Sequence, residues 1–141
     1  MENETRYLAI DYGEKRIGLA LTDPLKILAS PFKTIANDVA FLENLQTIIR
    51  EKSISKIILG IPFCDNGSDT KLTKKVRELR EILMKLTGIE VILVDERYSS
   101  SIASERIIQS VAKKSKRREK SLVDKNAAAV LLEDYLKSEV R

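Results

Sequence analysis

The order of apolar segments in the sequence predicts an α/β fold, a mixed β-sheet with helices on its faces. Three short apolar segments separated by polar loops come first. After them, segments with apolar residues every three or four positions alternate with short continuous apolar runs, the pattern of helices alternating with buried strands. Hairpins give antiparallel pairs and helical crossovers give parallel ones, so the sheet combines both. At 141 residues, a single domain over residues 1–141 is expected.

The first three strands are predicted over residues 7–10, over residues 16–22 and within residues 28–35. Residues 11–15 contain a glycine and have the length of a hairpin loop. Pro31 interrupts the third segment. Proline cannot donate a hydrogen bond to a neighbouring strand, so this segment suits the edge of the sheet.

Helices and strands alternate through the rest of the chain. The predicted helices cover residues 39–49, 72–86, 102–111 and 121–137, and the predicted strands cover residues 56–61 and 91–94. Asn37 or Asp38 is expected to cap the first of these helices, with Val39 on its apolar face. Gly88 is expected to end the second, because glycine readily takes the left-handed conformation found at helix ends.

The composition excludes several kinds of active site. The chain has no histidine, which excludes a Ser-His-Asp triad, a Cys–His pair and an imidazole ligand for zinc. Cys64 is the single cysteine, so no disulfide framework or thiolate cluster can form. The apolar runs are too short to cross a bilayer, and the first residues lack the pattern of a secretory signal. A cytoplasmic protein with no membrane partner is expected, with chemistry based on carboxylates, lysines or hydroxyls.

Three acidic positions are candidates for one shared site. Asp11 follows the first predicted strand, and Asp95 and Glu96 follow the last one. Side chains alternate along a strand, so only one of Asp95 and Glu96 can face the side of Asp11. Asp124 falls within the apolar face of the last predicted helix, where a carboxylate needs a partner or a metal ion. The same residue also fits a capping box begun by Ser121, and the pattern leaves both interpretations open.

A cluster of these carboxylates would need a cation, because like charges repel and would otherwise take up protons. Mg²⁺ or Mn²⁺ suits such a site, since both are hard ions that prefer oxygen ligands. Two such ions can activate a water and stabilise the leaving oxygen of a phosphodiester, with no histidine involved. The acids therefore predict metal-dependent hydrolysis of nucleic acid.

A basic segment at residues 113–120 indicates a polyanionic partner. It reads KKSKRREK, six basic residues and one acidic residue, in a chain whose net charge is +4. Such side chains bind phosphates without reading sequence, although a solvated charge run is an equally open interpretation. The candidate phosphate contacts are Arg16, Arg97, Lys113, Lys114, Lys116, Arg117 and Arg118. Arg16 and Arg97 could each form a structural ion pair instead.

Four groups of short motifs span essentially the whole chain. They are AIDYG (9–13) with RIGLA (16–20), GIP (60–62) with GS (67–68), VDER (94–97) with SS (99–100), and DKNAA (124–128) with Leu131 and YL (135–136). In this order they resemble the YqgF family, also called RuvX, a family of nucleases with an RNase H-like fold.

The resemblance implies a five-stranded sheet of order 3-2-1-4-5 with strand 2 antiparallel, and a divalent-metal site of Asp11, Glu96 and Asp124. It also implies processing of the 5′ end of pre-16S rRNA, or resolution of Holliday junctions in branched DNA. Many RNase H-like nucleases carry an acid at the end of the fourth strand, where this chain has residues 60–62. The second ligand then has to be Asp95 or Glu96, and the analogy favours Glu96.

Two other classes of protein fit parts of the sequence. Sugar-kinase, Hsp70 and actin-like ATPases also begin with Asp-x-Gly on a hairpin, but their cleft lies between two such domains and 141 residues supply one. A non-catalytic RNA-binding module for ribosome assembly would use the acids for helix capping and the basic segment for docking. The sequence leaves the oligomeric state open between monomer and homodimer.

Overall fold

The computed structural model describes residues 4–96 and 119–140, and for residues 119–125 and 140 it describes the backbone only. Its central element is a five-stranded β-sheet. The strands are β1 (Arg6–Tyr12), β2 (Arg16–Thr22), β3 (Ala29–Ala36), β4 (Ile54–Ile61) and β5 (Glu90–Asp95), and the helices of the described ranges are α1 (Phe41–Glu51), α2 (Lys71–Thr87) and α3 (Glu119–Val140). In these ranges, no helix combines the length and apolar character needed to cross a membrane.

The strands lie in the order β3-β2-β1-β4-β5. β2 is antiparallel to both β1 and β3, whereas β4 is parallel to both β1 and β5. The expected strand order and mixed sheet are therefore confirmed. Pro31 lies in the edge strand β3, where the register with β2 shifts between Leu19 and Ala20. This is the position in which a residue without an N–H group is tolerated.

The two faces of the sheet carry separate apolar clusters, because successive side chains of a strand point to opposite sides. One cluster contains Leu8, Ile10, Leu59 and Ile61 of the sheet and packs on buried residues of α1 and α2. The other contains Ala9, Ala20 and Ile58 and packs on Ala128, Ala129 and Leu132 of α3. We call the second side of the sheet the α3 face. The helices cover both faces, as expected.

The first helix begins later than the sequence predicts. α1 starts at Phe41, and its N-cap makes no side-chain capping hydrogen bond. Asn37 instead donates from Nδ2 to the carbonyl of Gly13, 2.8 Å away, and Asp38 Oδ1 accepts a backbone N–H two residues further on. The prediction of Asn37 or Asp38 as the cap is wrong, because these side chains organise the loop before the helix. Val39, predicted on the apolar face, is fully exposed.

The remaining helices agree more closely with the sequence. α2 begins with a reciprocal capping box between Thr70 and Thr73 and ends at Gly88, whose φ of 70° confirms the predicted glycine terminus. α3 starts two residues before the predicted helix and ends three residues after it. The helix predicted over residues 102–111 lies outside the described residues.

A cluster of two tyrosines, a lysine and a glutamate attaches the C-terminal part of α3 to the sheet. The Lys56 ammonium donates to the Tyr135 hydroxyl at 2.8 Å and to Glu139 Oε2 at 2.9 Å. Tyr7 and Tyr135 also donate to Glu139 Oε2, at 3.2 and 3.1 Å. The ammonium lies 4.9 and 5.1 Å from the centroids of these two aromatic rings. We call these four residues the anchor cluster.

The charges of the anchor cluster stabilise one another. Burial by itself would lower the pKa of Lys56, but hydrogen bonds with Tyr135 and Glu139 outweigh it and raise that pKa. Burial would raise the pKa of Glu139, and the hydrogen bonds from Lys56 and Tyr135 lower it instead. Both groups are therefore held in their charged forms, at the amino ends of β1 and β4.

Candidate active site

Asp11 lies within β1 rather than in the loop after it. The predicted loop began at residue 11, but β1 continues to Tyr12, and Asp11 is the register partner of Gly18 in β2. Ala9, two residues earlier on the strand, belongs to the cluster of the α3 face. Alternation therefore places Asp11 on the α3 face as well, near the carboxyl end of β1.

Glu96 directly follows β5, and its side chain lies over β4. A Cβ atom built on Gly60 would be 2.8 Å from Glu96 Cγ and 3.0 Å from Glu96 Cδ. Gly60 is the register partner of Val94, which packs against the cluster of the α3 face. The carboxyl group of Glu96 therefore lies on the α3 face, and its Oε2 atom is buried.

Asp95 belongs to the opposite face of the sheet. Its register partner is Ile61, and both Ile61 and Leu93 pack in the cluster beneath α1 and α2. Of the two adjacent acids, Glu96 is thus the one that shares a face with Asp11. Strand alternation and the position of Glu96 over Gly60 thus place Glu96, not Asp95, on the face of Asp11. That Glu96 is a metal ligand stays a prediction.

Asp11 and Glu96 lie on the same face at the carboxyl edge of the sheet. β1 and β4 are parallel neighbours with Ile10 opposite Leu59, so Asp11 and Gly60 are the next residues along the two strands. Adjacent strands are about 4.8 Å apart. Glu96, lying over Gly60, is therefore beside the strand that carries Asp11. We call this region, defined by Asp11 and Glu96, the acid edge.

Helix α3 runs from the acid edge towards the anchor cluster. Leu131 Cδ1 would be 2.7 Å from a Cβ on Gly60, whereas Tyr135 reaches Lys56 near the amino end of β4. Asp124 stands seven residues before Leu131, about two helical turns. The backbone at Asp124 therefore belongs to the acid-edge end of α3.

Asp124 is the third acid of the predicted set, and the structure describes its backbone within α3. The side chain of Asp124 lies outside the described part of the chain, and its approach to Asp11 and Glu96 stays a prediction. Within residues 4–96 and 126–139, no three aspartate, glutamate or cysteine side chains form a group able to hold a metal ion.

Of the predicted phosphate contacts, Arg16 is the one within the described residues. It opens β2 and stands two positions before Gly18, the partner of Asp11, so alternation places it on the α3 face at the acid edge. Arg97, Lys113, Lys114, Lys116, Arg117 and Arg118 lie outside the described residues.

Gly60 is a feature of the site that the sequence reasoning missed. The sequence shows an acid missing from the end of the fourth strand, and the structure shows the carbon chain of Glu96 lying over that position. The sequence signal that could have revealed it is a glycine within one predicted buried strand together with an acid directly after the next strand. Its meaning depends on the register of β4 with β5.

Comparison with known proteins identifies the family. Residues 5–138 match the family described as "RuvX: Holliday junction resolvase". The chain belongs to this family. A relative from Dictyoglomus thermophilum is 36% identical over 135 residues, covering 94% of this chain and 96% of its own. One from Endomicrobium trichonymphae is 40% identical over 134 residues, covering 93% and 94%. Both are named "Putative pre-16S rRNA nuclease".

Solved structures of Holliday junction resolvases share the fold of this RuvX-family chain. RuvC of T. thermophilus, solved with a Holliday junction substrate, superposes with a TM-score of 0.60, covering 96% of each chain at 13% identity. The fowlpox virus resolvase, solved with Holliday junction DNA, gives a TM-score of 0.61, covering 97% of this chain and 100% of its own at 13% identity. At these identities the likeness shows the fold alone, which is the expected RNase H-like fold.

Proposed function

We propose that this RuvX-family protein is a divalent-metal-dependent nuclease that hydrolyses phosphodiester bonds near the 5′ end of pre-16S rRNA, and that it acts in the cytoplasm as a single domain. The observation that supports the proposal is the placement of Asp11 and Glu96 on one face at the carboxyl edge of the sheet. Helix α3, which carries Asp124, packs on that face. The names of the relatives support the choice of RNA.

The proposed ligands of Mg²⁺ or Mn²⁺ are Asp11, Glu96 and Asp124. Nucleases of this family generally use divalent metal ions, and hard ions prefer carboxylate oxygens. The donor set fits, because Gly60 leaves space for the Glu96 carboxyl group beside β1. When bound, the ion acts as a Lewis acid that activates water and offsets the charge of the reacting phosphate.

The chain's own residues would orient this chemistry. Asp11, held within a paired strand, and Glu96, held over Gly60, present carboxylates from backbone positions fixed by the sheet. Arg16 at the same edge would contact a phosphate next to the scissile one. Arg97 and the basic residues between 113 and 118 would hold the nucleic-acid backbone further out.

The test is cleavage of a 5′-extended 16S rRNA precursor by the purified protein with Mg²⁺, Mn²⁺ or a chelator. Cleavage is expected only with metal. Asp11→Asn should reduce the rate by about a hundredfold or more, since it removes one ligand charge and leaves the shape unchanged. Asp95→Asn is the matched control, because Asp95 faces the opposite side, and its rate should stay close to wild type.

Equal rates for Asp11→Asn and wild type would contradict the proposal and indicate a contaminating nuclease. Salt-sensitive RNA binding without cleavage under any metal would favour the non-catalytic RNA-binding module instead. Loss of activity in Asp95→Asn with retention in Asp11→Asn would assign the site to the other face of the sheet.

The description of the family favours a second candidate, resolution of Holliday junctions. The acid edge could serve either polymer, because the proposed residues contact phosphates rather than bases. A four-way DNA junction and the rRNA precursor should be compared at equal concentrations. Symmetrical cuts in the junction with an intact rRNA precursor would select the resolvase function.

A further inference from the structure

The side chains of Glu96 and Leu131 both lie over Gly60. An added Cβ at Gly60 would stand 2.8 Å from Glu96 Cγ and 2.7 Å from Leu131 Cδ1. Real Cβ atoms essentially never come so close to other heavy atoms. The space that any other residue at position 60 would fill is therefore already occupied by Glu96 and Leu131.

The backbone of Gly60 does not itself require glycine. Gly60 lies inside β4, paired with Val94, and among the described glycines positive φ occurs at Gly67 and Gly88. An alanine could adopt this strand conformation without strain. The need for glycine at position 60 comes from the two side chains above it.

Leu131 has little freedom to move away, and the backbone of Glu96 is fixed. Leu131 is fully buried, and α3 is attached to the sheet by the anchor cluster one turn further on. Glu96 follows the last residue of β5 directly, so its backbone is fixed by the end of that strand. In close-packed interiors, an added methyl group displaces whichever neighbour resists least. We expect that neighbour to be the side chain of Glu96, because Leu131 is fully buried on a helix that the anchor cluster attaches to the sheet.

We propose that Gly60 and Leu131 are positioning residues that hold the Glu96 carboxylate at the acid edge. This inference rests on the proposed function, in which Glu96 is a metal ligand. On this inference, metal affinity also depends on the contact between Gly60 of β4 and Leu131 of α3, neither of which is itself a metal ligand.

The decisive variant is Gly60→Ala. The Mn²⁺ dissociation constant, measured by calorimetry or electron paramagnetic resonance on the full chain, should rise about tenfold to a hundredfold, as for other changes that misorient a ligand. The Mg²⁺ concentration needed for half-maximal cleavage should rise in parallel. The circular dichroism spectrum should stay that of the wild type.

Gly88→Ala is the matched control, a second glycine-to-alanine change far from Glu96. Gly88 has a φ of 70° and nothing within 4 Å of an added Cβ, so this variant should lose thermal stability and keep its Mn²⁺ affinity. Opposite effects in the two variants would separate positioning of the ligand from general destabilisation.

Leu131→Val tests the other wall of the contact and serves if Gly60→Ala fails to fold. Shortening this side chain should loosen Glu96 and weaken Mn²⁺ binding severalfold. Unchanged Mn²⁺ affinity in the folded variants, with normal binding by wild type, would overturn the positioning role alone. If the wild-type protein binds no Mn²⁺, the proposed metal site itself is overturned.

Discussion

The two ends of helix α3 meet the sheet in opposite ways. At the anchor cluster, Lys56 and Glu139 form an ion pair that two tyrosine hydroxyls complete. At the acid edge, Asp11 and Glu96 bring carboxylates of like charge to one face. The helix thus packs beside opposite charges near one end and beside charges of the same sign near the other.

This difference shows how stability and chemistry are divided along one helix. Carboxylates on one face repel one another unless a cation or a basic group lies between them. The anchor cluster attaches α3 to the sheet away from these acids, through Tyr135 and Glu139, about one and two turns beyond Leu131. Variants at the two ends should therefore affect different measurements.

The largest expected effect is loss of activity at the acid edge. Glu96→Gln should lower the rate of metal-dependent cleavage by about a hundredfold or more, because it removes a ligand charge and keeps the side-chain volume. Its thermal midpoint should stay within a few degrees of wild type, since the shape of the side chain over Gly60 is unchanged. Cleavage assays and thermal unfolding of the same preparation measure both.

A stability loss in Glu96→Gln as large as in an anchor-cluster variant would contradict the division between the two ends. Glu139→Gln is the comparison variant, with the same chemical change at the opposite end of α3. It should keep kcat and lower the thermal midpoint.

The second effect is a loss of stability at the anchor cluster. Lys56→Met keeps the apolar part of the side chain and removes the ammonium, together with its hydrogen bonds to Tyr135 and Glu139. The free energy of unfolding should fall by about 1 kcal/mol, since Glu139 is partly exposed and water can solvate it. Chemical denaturation measures this change. An unaltered midpoint would show that aromatic packing alone holds α3.

The smallest effect concerns pH. The pKa of Glu139 is lower in the folded chain than in the unfolded chain, so its contribution to stability is complete above about pH 5 and is lost as the pH falls through the lowered pKa. Thermal midpoints should decline as the pH falls below the usual pKa range of a glutamate. Glu139→Gln should decline less over this range. Parallel declines in the two proteins would assign the acid sensitivity to other carboxylates.

Much of the fold follows from short-range patterns in the sequence. Apolar periodicity locates each described strand and helix, and Gly88 marks the end of α2 correctly. The start of α1 does not follow, because Asn37 binds the carbonyl of Gly13, a residue 24 positions away. Local capping rules have no information about such a partner.

The candidate site likewise follows only in part from the sequence. Asp11 and the pair of Asp95 and Glu96 are visible as acids near strand ends, and alternation limits the choice to one of the pair. The selection of Glu96 needs the register of β5 with β4, and the role of Gly60 needs the position of Leu131. These are tertiary distances between segments far apart in the chain. The metal-ligand role of the three acids stays a prediction.

The contact between Tyr7 and Glu139 joins residues 132 positions apart. Protein chains generally fold from the N-terminal side as they leave the ribosome. While the chain is being synthesised, the sheet strands therefore emerge before α3, and Leu131 is not yet available to cover Gly60. On the proposed function, a nascent chain has no working nuclease site until this helix has been translated and docked. Ribosomes making the protein would thus carry an inert precursor rather than an active nuclease beside their own RNA.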